Sequence, residues 1–444
     1  MSHFTLTFYF LSGLCALLTF LFKESKSEST SSDRGQSGKD YKNFRLNYLI
    51  VYLLVMTGDW LQGPYVYAIY KSYGFDLKQQ AILFVTGFLS SGIFGTVVGS
   101  AADKYGRKKF CLLFALLYST FCVIITSKNF YILLFGRILS GISTSLLFSV
   151  FESWMVSEHF SRGFHSSLLS ETFSMATYGN GLVAIFSGLL ANWLAEHFGI
   201  TSPFLAAIGF FVLAALVITV TWKENYGDKD NSKETSSLTQ ALKVISGDSR
   251  VLAVGAVQSL FEASMYTFVF FWGPFLENYH KSEEGLPFGI IFASFMVSIM
   301  IGSLLYGNLC GSRNVPLSDI AQGTLLLAGV SLLFPLLYPN EYTLFFFFIL
   351  FEVTCGLYFP TISTLRAKVV PENLRATVSN LFRVPLNACV VTLLVSDLTT
   401  SIQCLMCSVL LIVAFVWSFA LEESDTSKKA AKIRKKLEKK NKLM

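Results

Sequence analysis

Residues 288–308 read FGIIFASFMVSIMIGSLLYGN, a run of 21 residues without a charged side chain. A helix of about 20 apolar residues, rising about 1.5 Å per residue, is long enough to cross the hydrocarbon core of a bilayer. Similar runs recur along the chain, which is 53% hydrophobic and 14% charged. Soluble domains carry about 25% charged residues. The sequence therefore predicts an all-α, polytopic membrane protein.

Apolar runs of this length predict thirteen membrane spans. They lie at 3–22, 46–70, 81–101, 108–126, 130–151, 168–194, 202–222, 251–275, 288–308, 317–338, 341–365, 377–397 and 401–421. The first, within residues 1–22, is an extra N-terminal transmembrane helix. The other twelve form two six-helix bundles, at 46–222 and 251–421.

Three polar segments separate or follow these units. Residues 23–45 form a linker rich in Ser, Lys and Glu, which is too polar to fold alone. Residues 223–250 form the central loop between the two bundles, and residues 422–444 form a basic tail. We predict that all three segments are cytoplasmic.

The distribution of basic residues predicts this orientation. If the spans alternate and the linker is cytoplasmic, 29 of the 35 Lys and Arg residues lie in cytoplasmic segments and four lie in outer loops. The positive-inside rule favours that arrangement, with the N-terminus outside and the C-terminus in the cytoplasm. No Lys or Arg precedes the run 3–22, and basic residues follow it, so we expect a retained helix rather than a cleaved signal peptide.

The cell membrane is the expected location. The alternative is the endoplasmic reticulum or Golgi, because the tail ends in Lys440-Asn-Lys442-Leu-Met444, which fits a Lys-x-Lys-x-x retrieval pattern.

Several classes of protein are excluded. The net charge of +6 does not indicate nucleic-acid binding, because the basic residues are concentrated in short loops and in the tail. No P-loop, Ser/His/Asp set or metal-ligand spacing occurs, so we expect no enzyme, no cofactor and no metal site. Cys404 and Cys407 have CxxC spacing but lie within a span, where buried packing is their expected role. We expect a monomer in the lipid bilayer.

Five charged residues lie well inside the predicted spans, away from the span ends: Asp59, Arg137, Glu262, Glu352 and Arg383. A charge in a bilayer is costly, so each requires a functional or structural reason. Asp59 and Glu262 lie at matching depths in the first span of each bundle, which favours a functional role. We predict that Asp59, Glu262 and Glu352 carry a coupling proton or form ion pairs between helices.

Arg383 is the strongest indication of an anionic ligand, because a guanidinium group offers fixed donors that match an oxyanion. It could equally pair with Glu262 or Glu352. Pro385 follows it, and we expect this proline to break the local helix beside a cavity. Arg137 is predicted to help Arg383 bind the ligand.

The first core span contains Gly58-Asp59-Trp60-Leu61-Gln62-Gly63-Pro64-Tyr65. Helix breakers and hydrogen-bonding side chains alternate in this stretch, as is typical of a helix that lines a cavity. Gln62 and Tyr65 are therefore predicted to contact the ligand.

Short matches between the two bundles indicate an internal duplication. When Gly141 is aligned with Gly356, Arg137 stands opposite Glu352. Duplicated transporters place their site between the repeats, near the middle of the membrane. We therefore expect the ligand site at that position.

The loop after the span 81–101 reads Gly99-Ser-Ala-Ala-Asp103-Lys-Tyr-Gly106-Arg107-Lys108-Lys109. Gly99 allows close helix approach, and Asp103 can cap a helix N-terminus and pair with Arg107. We predict that Gly99, Asp103, Gly106 and Arg107 form a cytoplasmic gate.

This loop resembles the signature of the major facilitator superfamily, and Gly136-Arg137-x-x-x-Gly141 resembles the fourth-helix motif of that superfamily. The stretches Asp59-Trp-Leu-Gln-Gly-Pro-Tyr65, Ser149-Val-Phe-Glu-Ser-Trp154, Cys355-Gly-Leu-Tyr-Phe-Pro360 and Phe382-Arg-Val-Pro385 resemble its molybdate-anion transporter branch. The likeness covers most of 46–421 and the apolar N-terminus. It implies a major-facilitator fold and uptake of the molybdate oxyanion by alternating access.

Two alternatives stay open. A transporter of the same fold could carry another anion or solute, such as sulfate. A non-transporting membrane sensor or scaffold could also use this fold, although residues 223–250 are too few for a large interaction domain.

Overall fold

The computed structural model describes residues 2–23, 36–227, 234–282, 285–313, 315–371, 374–396 and 398–421. Within these ranges the chain is helical and forms no strand. Residues 24–35 of the predicted linker and the whole predicted tail, 422–444, lie outside the described ranges.

Fifteen α-helices are described in chain order. They are α1 (His3–Lys23), α2 (Gln36–Gln62), α3 (Val66–Ser72), α4 (Leu77–Tyr105), α5 (Arg107–Ile124), α6 (Phe130–Ser161), α7 (Ser166–Phe198), α8 (Ser202–Thr221), α9 (Glu234–Gly247), α10 (Ser249–Glu277), α11 (Phe288–Gly307), α12 (Leu317–Leu337), α13 (Glu341–Val369), α14 (Arg375–Val395) and α15 (Thr400–Ser418). Every predicted span overlaps one of them.

Nine helices in the described part of the chain are long and apolar enough to cross a membrane. Helix α4 supplies a tenth if its two parts, which meet at an angle of 50°, are one span. The start of α2 is polar, because it belongs to the predicted linker. The apolar part of α14 is short, Leu381–Val395. Polar and charged residues near their ends therefore lower the mean hydropathy of helices such as α2 and α14, although these helices pack within the bundles.

The linker prediction is wrong for residues 36–45, which form the first turns of α2. Their aromatic side chains give this polar stretch a buried face. Tyr41 is 4% exposed, and its hydroxyl donates to the Leu168 carbonyl at 2.7 Å. Phe44 is also buried and lies against the Trp154 and Phe164 rings. The predicted central loop likewise contains a helix, α9.

The structure interrupts one predicted span and leaves another continuous. The span predicted at 46–70 is divided at the helix breakers Gly63 and Pro64: α2 ends at Gln62, a 3₁₀ turn covers Gly63–Tyr65, and α3 follows. The helix break expected at Pro385 is wrong, because α14 continues through this residue. A proline inside a helix is tolerated in a membrane when neighbouring groups satisfy the carbonyl that it frees.

The helices pair in a pattern that occurs twice. In the N-terminal bundle (α2 and α4–α8), α4 and α5 pack on α6, α2 packs on α7 and α8, and α5 packs on α8. In the C-terminal bundle (α10–α15), α11 and α12 pack on α13, α10 packs on α14 and α15, and α12 packs on α15. Each helix therefore has a counterpart with equivalent neighbours, as expected for a duplicated chain.

Glycines allow the closest of these pairings. A Cβ atom on Gly141 of α6 would collide with the Gly87 carbonyl of α4. The equivalent contact in the C-terminal bundle joins α13 and α11, where a Cβ atom on Gly356 would collide with the Ile299 carbonyl. Gly141 and Gly356 thus occupy corresponding positions, as the sequence alignment of the two halves proposed.

The extra helix α1 packs on α11 of the C-terminal bundle. Phe4, Phe8, Leu11 and Cys15 form its buried face. At its start, His3 Nε2 lies 3.7 Å from a Glu341 carboxylate oxygen. Helix α2 instead packs on α7 and α8. Consecutive helices α1 and α2 therefore belong to different bundles.

Candidate functional site

The most extensive contacts between the two bundles are made by two helix pairs, α7 with α11 and α4 with α14. Gly188 of α7 and Gly289 of α11 meet so closely that a Cβ atom on either would collide with the carbonyl of the other. Gly92 of α4 lies beside Asn387 of α14, where an added Cβ atom would stand 3.1 Å from the amide nitrogen. These crossings are the natural pivots for any movement between bundles.

The bundles are also joined at the end of the molecule that contains Glu277, which we call the Glu277 end. The Tyr67 hydroxyl donates to Glu277 Oε2 at 2.7 Å, and the Lys71 ammonium donates to the same oxygen at 2.6 Å. The Tyr67 ring also lies against Phe288. Further ring contacts between bundles follow from mid-length to this end: Trp60 with Phe292, Phe84 with Phe270, and Phe88 with Tyr266.

The opposite end, which contains Asp103 and is called the Asp103 end, is more open. In α4, every residue of 92–97 whose side chain is described is exposed, whereas residues 81–88 alternate between buried and partly exposed. Residues 383–385 of α14 are also exposed. A helix at the edge of a bundle exposes one face to lipid. Because this part of α4 is exposed on all its faces, a second face of the helix is also free, and that face lies between the bundles.

Glu262 of α10 lies in a polar cluster built from three helices. The Tyr358 hydroxyl of α13 donates to Glu262 Oε1 at 3.2 Å. The guanidinium groups of Arg383 (α14) and Arg366 (α13) both act electrostatically on the Glu262 carboxylate. Among the described residues, neither arginine forms an ion pair with it within 4 Å. Arg383 is exposed, so its donors can reach a ligand.

Asp59 has a different environment. It accepts a hydrogen bond of 2.5 Å from the Tyr118 hydroxyl of α5. The neighbouring Gly58 meets Phe211 of α8, where a Cβ atom would stand 2.5 Å from the ring. Helices α5 and α8 belong to the same bundle as α2, so the Asp59 carboxylate faces the interior of the N-terminal bundle. Matching depth in the sequence did not place Asp59 and Glu262 in equivalent surroundings.

Arg137 also serves the N-terminal bundle. Its Nε donates to the Leu83 carbonyl of α4 at 3.1 Å, and its guanidinium carbon lies 5.7 Å from the centre of the Phe121 ring. Gly87 makes room for this side chain, since a Cβ atom there would stand 2.8 Å from Nη2. The structure therefore does not bring Arg137 together with Arg383.

Glu352, the counterpart of Arg137, is buried within α13, and the side chain that interacts with it is Cys355 of the same helix. Gln62 and Tyr65 are also buried. The Gln62 amide donates to the Gly58 carbonyl of its own helix at 2.9 Å. The Tyr65 hydroxyl donates to Asn192 Oδ1 at 3.3 Å, near the α7–α11 crossing. Of the seven predicted ligand-binding and coupling residues, the structure thus brings together Arg383 and Glu262.

The predicted gate loop is built around Gly106, which joins α4 to α5. Its φ of +115° lies in the region that favours glycine. Arg107 Nε donates to Asp103 Oδ1 at 2.7 Å, as predicted from their spacing. Among the described residues, no atom lies within 4 Å of the position of a Cβ atom on Gly99, so the close helix contact expected at this position is not present in this conformation.

A different residue from the one we expected caps α5. Glu224, which follows α8, accepts hydrogen bonds from the Lys108 and Lys109 backbone amides at 2.8 and 3.3 Å. Asp103 therefore pairs with Arg107 and leaves the helix N-terminus to Glu224. A cavity of about 350 Å³ lies beside this loop. It is lined by Arg107, Glu152, Ser153, Val156, Ser157, Tyr226 and Gly227.

Sequence reasoning missed Arg366, because the predicted span ended at residue 365 and left this arginine in a loop. Helix α13 continues to Val369, so Arg366 belongs to its last turn. Its Nη1 donates to Gln258 Oε1 of α10 at 3.2 Å. Two arginines, and not one, therefore lie near Glu262.

The fold consists of two six-helix bundles that meet at two pivots. One end is joined, the other is open, and a charged cluster lies between α10, α13 and α14. This combination is typical of a secondary transporter. The solved structures agree on the fold. The peptide-transporter-family protein PepTSo superposes with a TM-score of 0.69 at 12% identity, covering 85% of this chain and 97% of its own.

Sequence comparisons identify the family. A family model described as sugar transporters with 12 transmembrane helices matches residues 3–343. The molybdate-anion transporter of Xenopus laevis is 36% identical over 395 residues, which covers 86% of this chain and 85% of that protein. The molybdate-anion transporter of Danio rerio is 35% identical over 417 residues, with the same shares covered. The chain belongs to the molybdate-anion transporter branch of the major facilitator superfamily.

Proposed function

We propose that this protein transports the molybdate oxyanion by alternating access, and that Arg383 contacts the anion. The observation that carries the proposal is the exposed Arg383 guanidinium beside Glu262, at the open side of the bundle crossing. Two vertebrate relatives named molybdate-anion transporters, similar over most of their length, support the choice of substrate.

The arrangement of the bundles supports the mechanism. We propose that the units 46–222 and 251–421 rock about the α7–α11 and α4–α14 crossings. The conformation described here has a joined Glu277 end and a more open Asp103 end. In the opposite state, the Tyr67–Glu277 contact breaks and α14 approaches Gly99. The Asp103–Arg107 pair, with Gly106 between them, then holds the loop that closes the Asp103 end.

The orientation is also a proposal. The excess of basic residues near the Asp103 end favours a cytoplasmic location for that end, with the N-terminus outside and the C-terminus inside. We propose that the protein lies in the cell membrane as a monomer and that the present conformation faces the cytoplasm. Residence in the endoplasmic reticulum or Golgi is the alternative.

Coupling to protons, if the protein uses it, requires a carboxylate near the substrate. We assign that role to Glu262 rather than to Asp59 or Glu352. Arginine side chains surround Glu262, so its charge state controls how strongly they attract an anion. Asp59 and Glu352 interact with groups of their own bundles, so we propose that they stabilise those bundles.

The decisive experiment is radiotracer uptake into proteoliposomes that contain the purified protein. Molybdate, tungstate, sulfate and a neutral sugar are compared at equal concentration. Saturable molybdate uptake that tungstate inhibits and the sugar does not is the expected result. Absence of saturable molybdate flux, in vesicles whose protein is folded, removes molybdate as the substrate.

A pair of variants tests the role of Arg383. Arg383→Ala should lower molybdate uptake at least about 100-fold, because a charge-assisted contact to the anion is lost. Arg313→Ala is the matched control: this exposed arginine follows α11 in the same half and has no ring or ion-pair contact in the described chain. Full uptake by the Arg383 variant would overturn the assignment of Arg383.

A second candidate substrate class has a specific basis, since the matching family model is described as sugar transporters. Saturable sugar flux without molybdate flux would favour that class. Binding of a solute without flux in either direction would instead favour the sensor or scaffold.

A further inference from the structure

Arg366 connects the last turn of α13 to the middle of α10. It is half-buried, and its Nη1 donates to Gln258 Oε1 at 3.2 Å. Gln258 is itself 4% exposed. A buried amide that accepts from a guanidinium group fixes the direction of that group. Arg366 is therefore oriented into the bundle, although it lies three residues from the end of its helix.

Gln258 and Glu262 are one helical turn apart on α10, so they share a face. The Arg366 guanidinium acts electrostatically on both Glu262 and its partner Tyr358. Arg383 acts on Glu262 from α14, and Tyr266 of α10 lies within range of Glu262 and Arg383. The carboxylate of Glu262 thus occupies a position where donors from α10, α13 and α14 converge.

The charge of this cluster does not balance. Two guanidinium groups and one ionised carboxylate leave this cluster with one net positive charge, and unbalanced charge is costly in a membrane-spanning bundle. Molybdate has two negative charges, so Arg383 alone would leave the loaded site negative. Two arginines match the dianion when Glu262 is neutral, and the bundles can then reorient without carrying net charge.

We propose that Arg366 and Arg383 bind the transported dianion together. In the empty site, Glu262 is the counter-ion of the two arginines, and the substrate replaces it in that role. This inference rests on the proposed function and names the second cation of the same site. Arg137 cannot supply that cation in this conformation, because it is bound to α4 within the other bundle. Arg366 lies nearer the Asp103 end, so it also meets an anion that passes through that opening.

The test measures equilibrium binding of radiolabelled molybdate to purified protein in detergent, followed by uptake into proteoliposomes. Arg366→Gln removes the charge, Arg366→Lys keeps it, and Lys368→Gln is the matched control. Lys368 is exposed on the same last turn of α13 and points away from Arg366. Both Gln variants lower the charge of this turn by one, but one of them alone alters the cluster.

Arg366→Gln should weaken molybdate binding about 10- to 100-fold, the usual range for one lost contact to a charged group. Arg366→Lys should recover part of the loss, and Lys368→Gln should bind as the wild type does. Glu262→Gln provides a second measurement: it removes the competing anion and should tighten binding while impairing coupled uptake.

The outcomes separate the two proposals. If the wild type does not bind molybdate, the proposed function fails. If the wild type binds and Arg366→Gln binds equally well, Arg366 is not a ligand and this inference alone is overturned. Equal losses in Arg366→Gln and Lys368→Gln would also overturn it, because a general change of charge would then explain the result. If Arg366→Gln does not fold, weaker binding by Glu262→Gln overturns the counter-ion role.

Discussion

Glu277→Ala should open the Glu277 end and shift the protein toward the opposite conformation. Glu277 is the residue on which two hydrogen bonds between the bundles converge, one from Tyr67 and one from Lys71. Its side chain is 22% exposed, whereas that of Lys71 is 54% exposed. The two donors therefore contribute unequally, and the variant removes both contributions at once.

The size of the shift follows from these environments. A half-buried hydroxyl that donates to a carboxylate contributes about 1.5–3 kcal/mol, and an exposed Lys–Glu pair contributes about 0.5 kcal/mol. Their loss destabilises the joined Glu277 end by about 2–3.5 kcal/mol. Since about 1.4 kcal/mol changes an equilibrium constant tenfold, the ratio of the two conformations should change roughly 30- to 300-fold.

Spin-label distance measurements can detect the change. Lys78 at the start of α4 and Lys281 after α10 are exposed, belong to different bundles and lie at the Glu277 end. Cysteines introduced there, in a protein without other reactive cysteines, carry the labels. The distance distribution of Glu277→Ala should gain a longer component. Tyr67→Phe should reproduce most of the gain, and Lys71→Ala should produce little.

An unchanged distribution in Glu277→Ala would refute the reasoning, because it would mean that the two hydrogen bonds do not stabilise the joined end. An equal effect of Lys71→Ala and Tyr67→Phe would refute the division of energy between them. High salt offers a further check: it should weaken the Lys71 contribution and leave the Tyr67 contribution largely intact.

Three further variants test the packing around the site. Glu224→Ala removes the acceptor at the start of α5 and should lower the free energy of unfolding by about 1–2 kcal/mol, measured by thermal denaturation in detergent. Gly302→Val should prevent folding, because its Cβ atom would collide with the α13 backbone, whereas Gly323→Val, which has open space, should fold; size-exclusion profiles compare the two. Tyr118→Phe deprives Asp59 of its 2.5 Å donor and should reduce stability by about 1–3 kcal/mol without the loss of molybdate binding expected for Arg383→Ala.

The fold could be predicted because the bilayer imposes a simple length rule on every span. Thirteen apolar runs correspond to helices, although the run at 46–70 is divided at the glycine and proline of positions 63–64. The helix boundaries were predicted wrongly where buried aromatic residues allow a polar stretch to form a packed helix. Tyr41 and Phe44 hold the charged start of α2 against other helices, and no local pattern identifies those partners.

The candidate site was less predictable, since it depends on helix rotation and on exact helix ends. The sequence left Arg383 free to pair with Glu262 or Glu352, and in the structure its guanidinium group interacts electrostatically with Glu262. An error of four residues at the end of α13 hid Arg366 in a loop. The contact between Glu224 and Lys108 joins residues 116 positions apart, so spacing along one helix could not reveal it.

Duplication explains why the two bundles pack alike, but it does not explain where the charges point. In the N-terminal bundle, Asp59 and Arg137 interact with a tyrosine and a carbonyl of their own bundle, so both are used for internal cohesion. In the described part of the C-terminal bundle, Arg366 and Arg383 act electrostatically on Glu262 but form no ion pair with it within 4 Å. A transport site needs charges that can exchange partners, and a rigid half needs charges that cannot. The asymmetry therefore supports our proposal that the anion binds in the C-terminal bundle, and it favours the N-terminal bundle as the rigid body against which the C-terminal bundle moves.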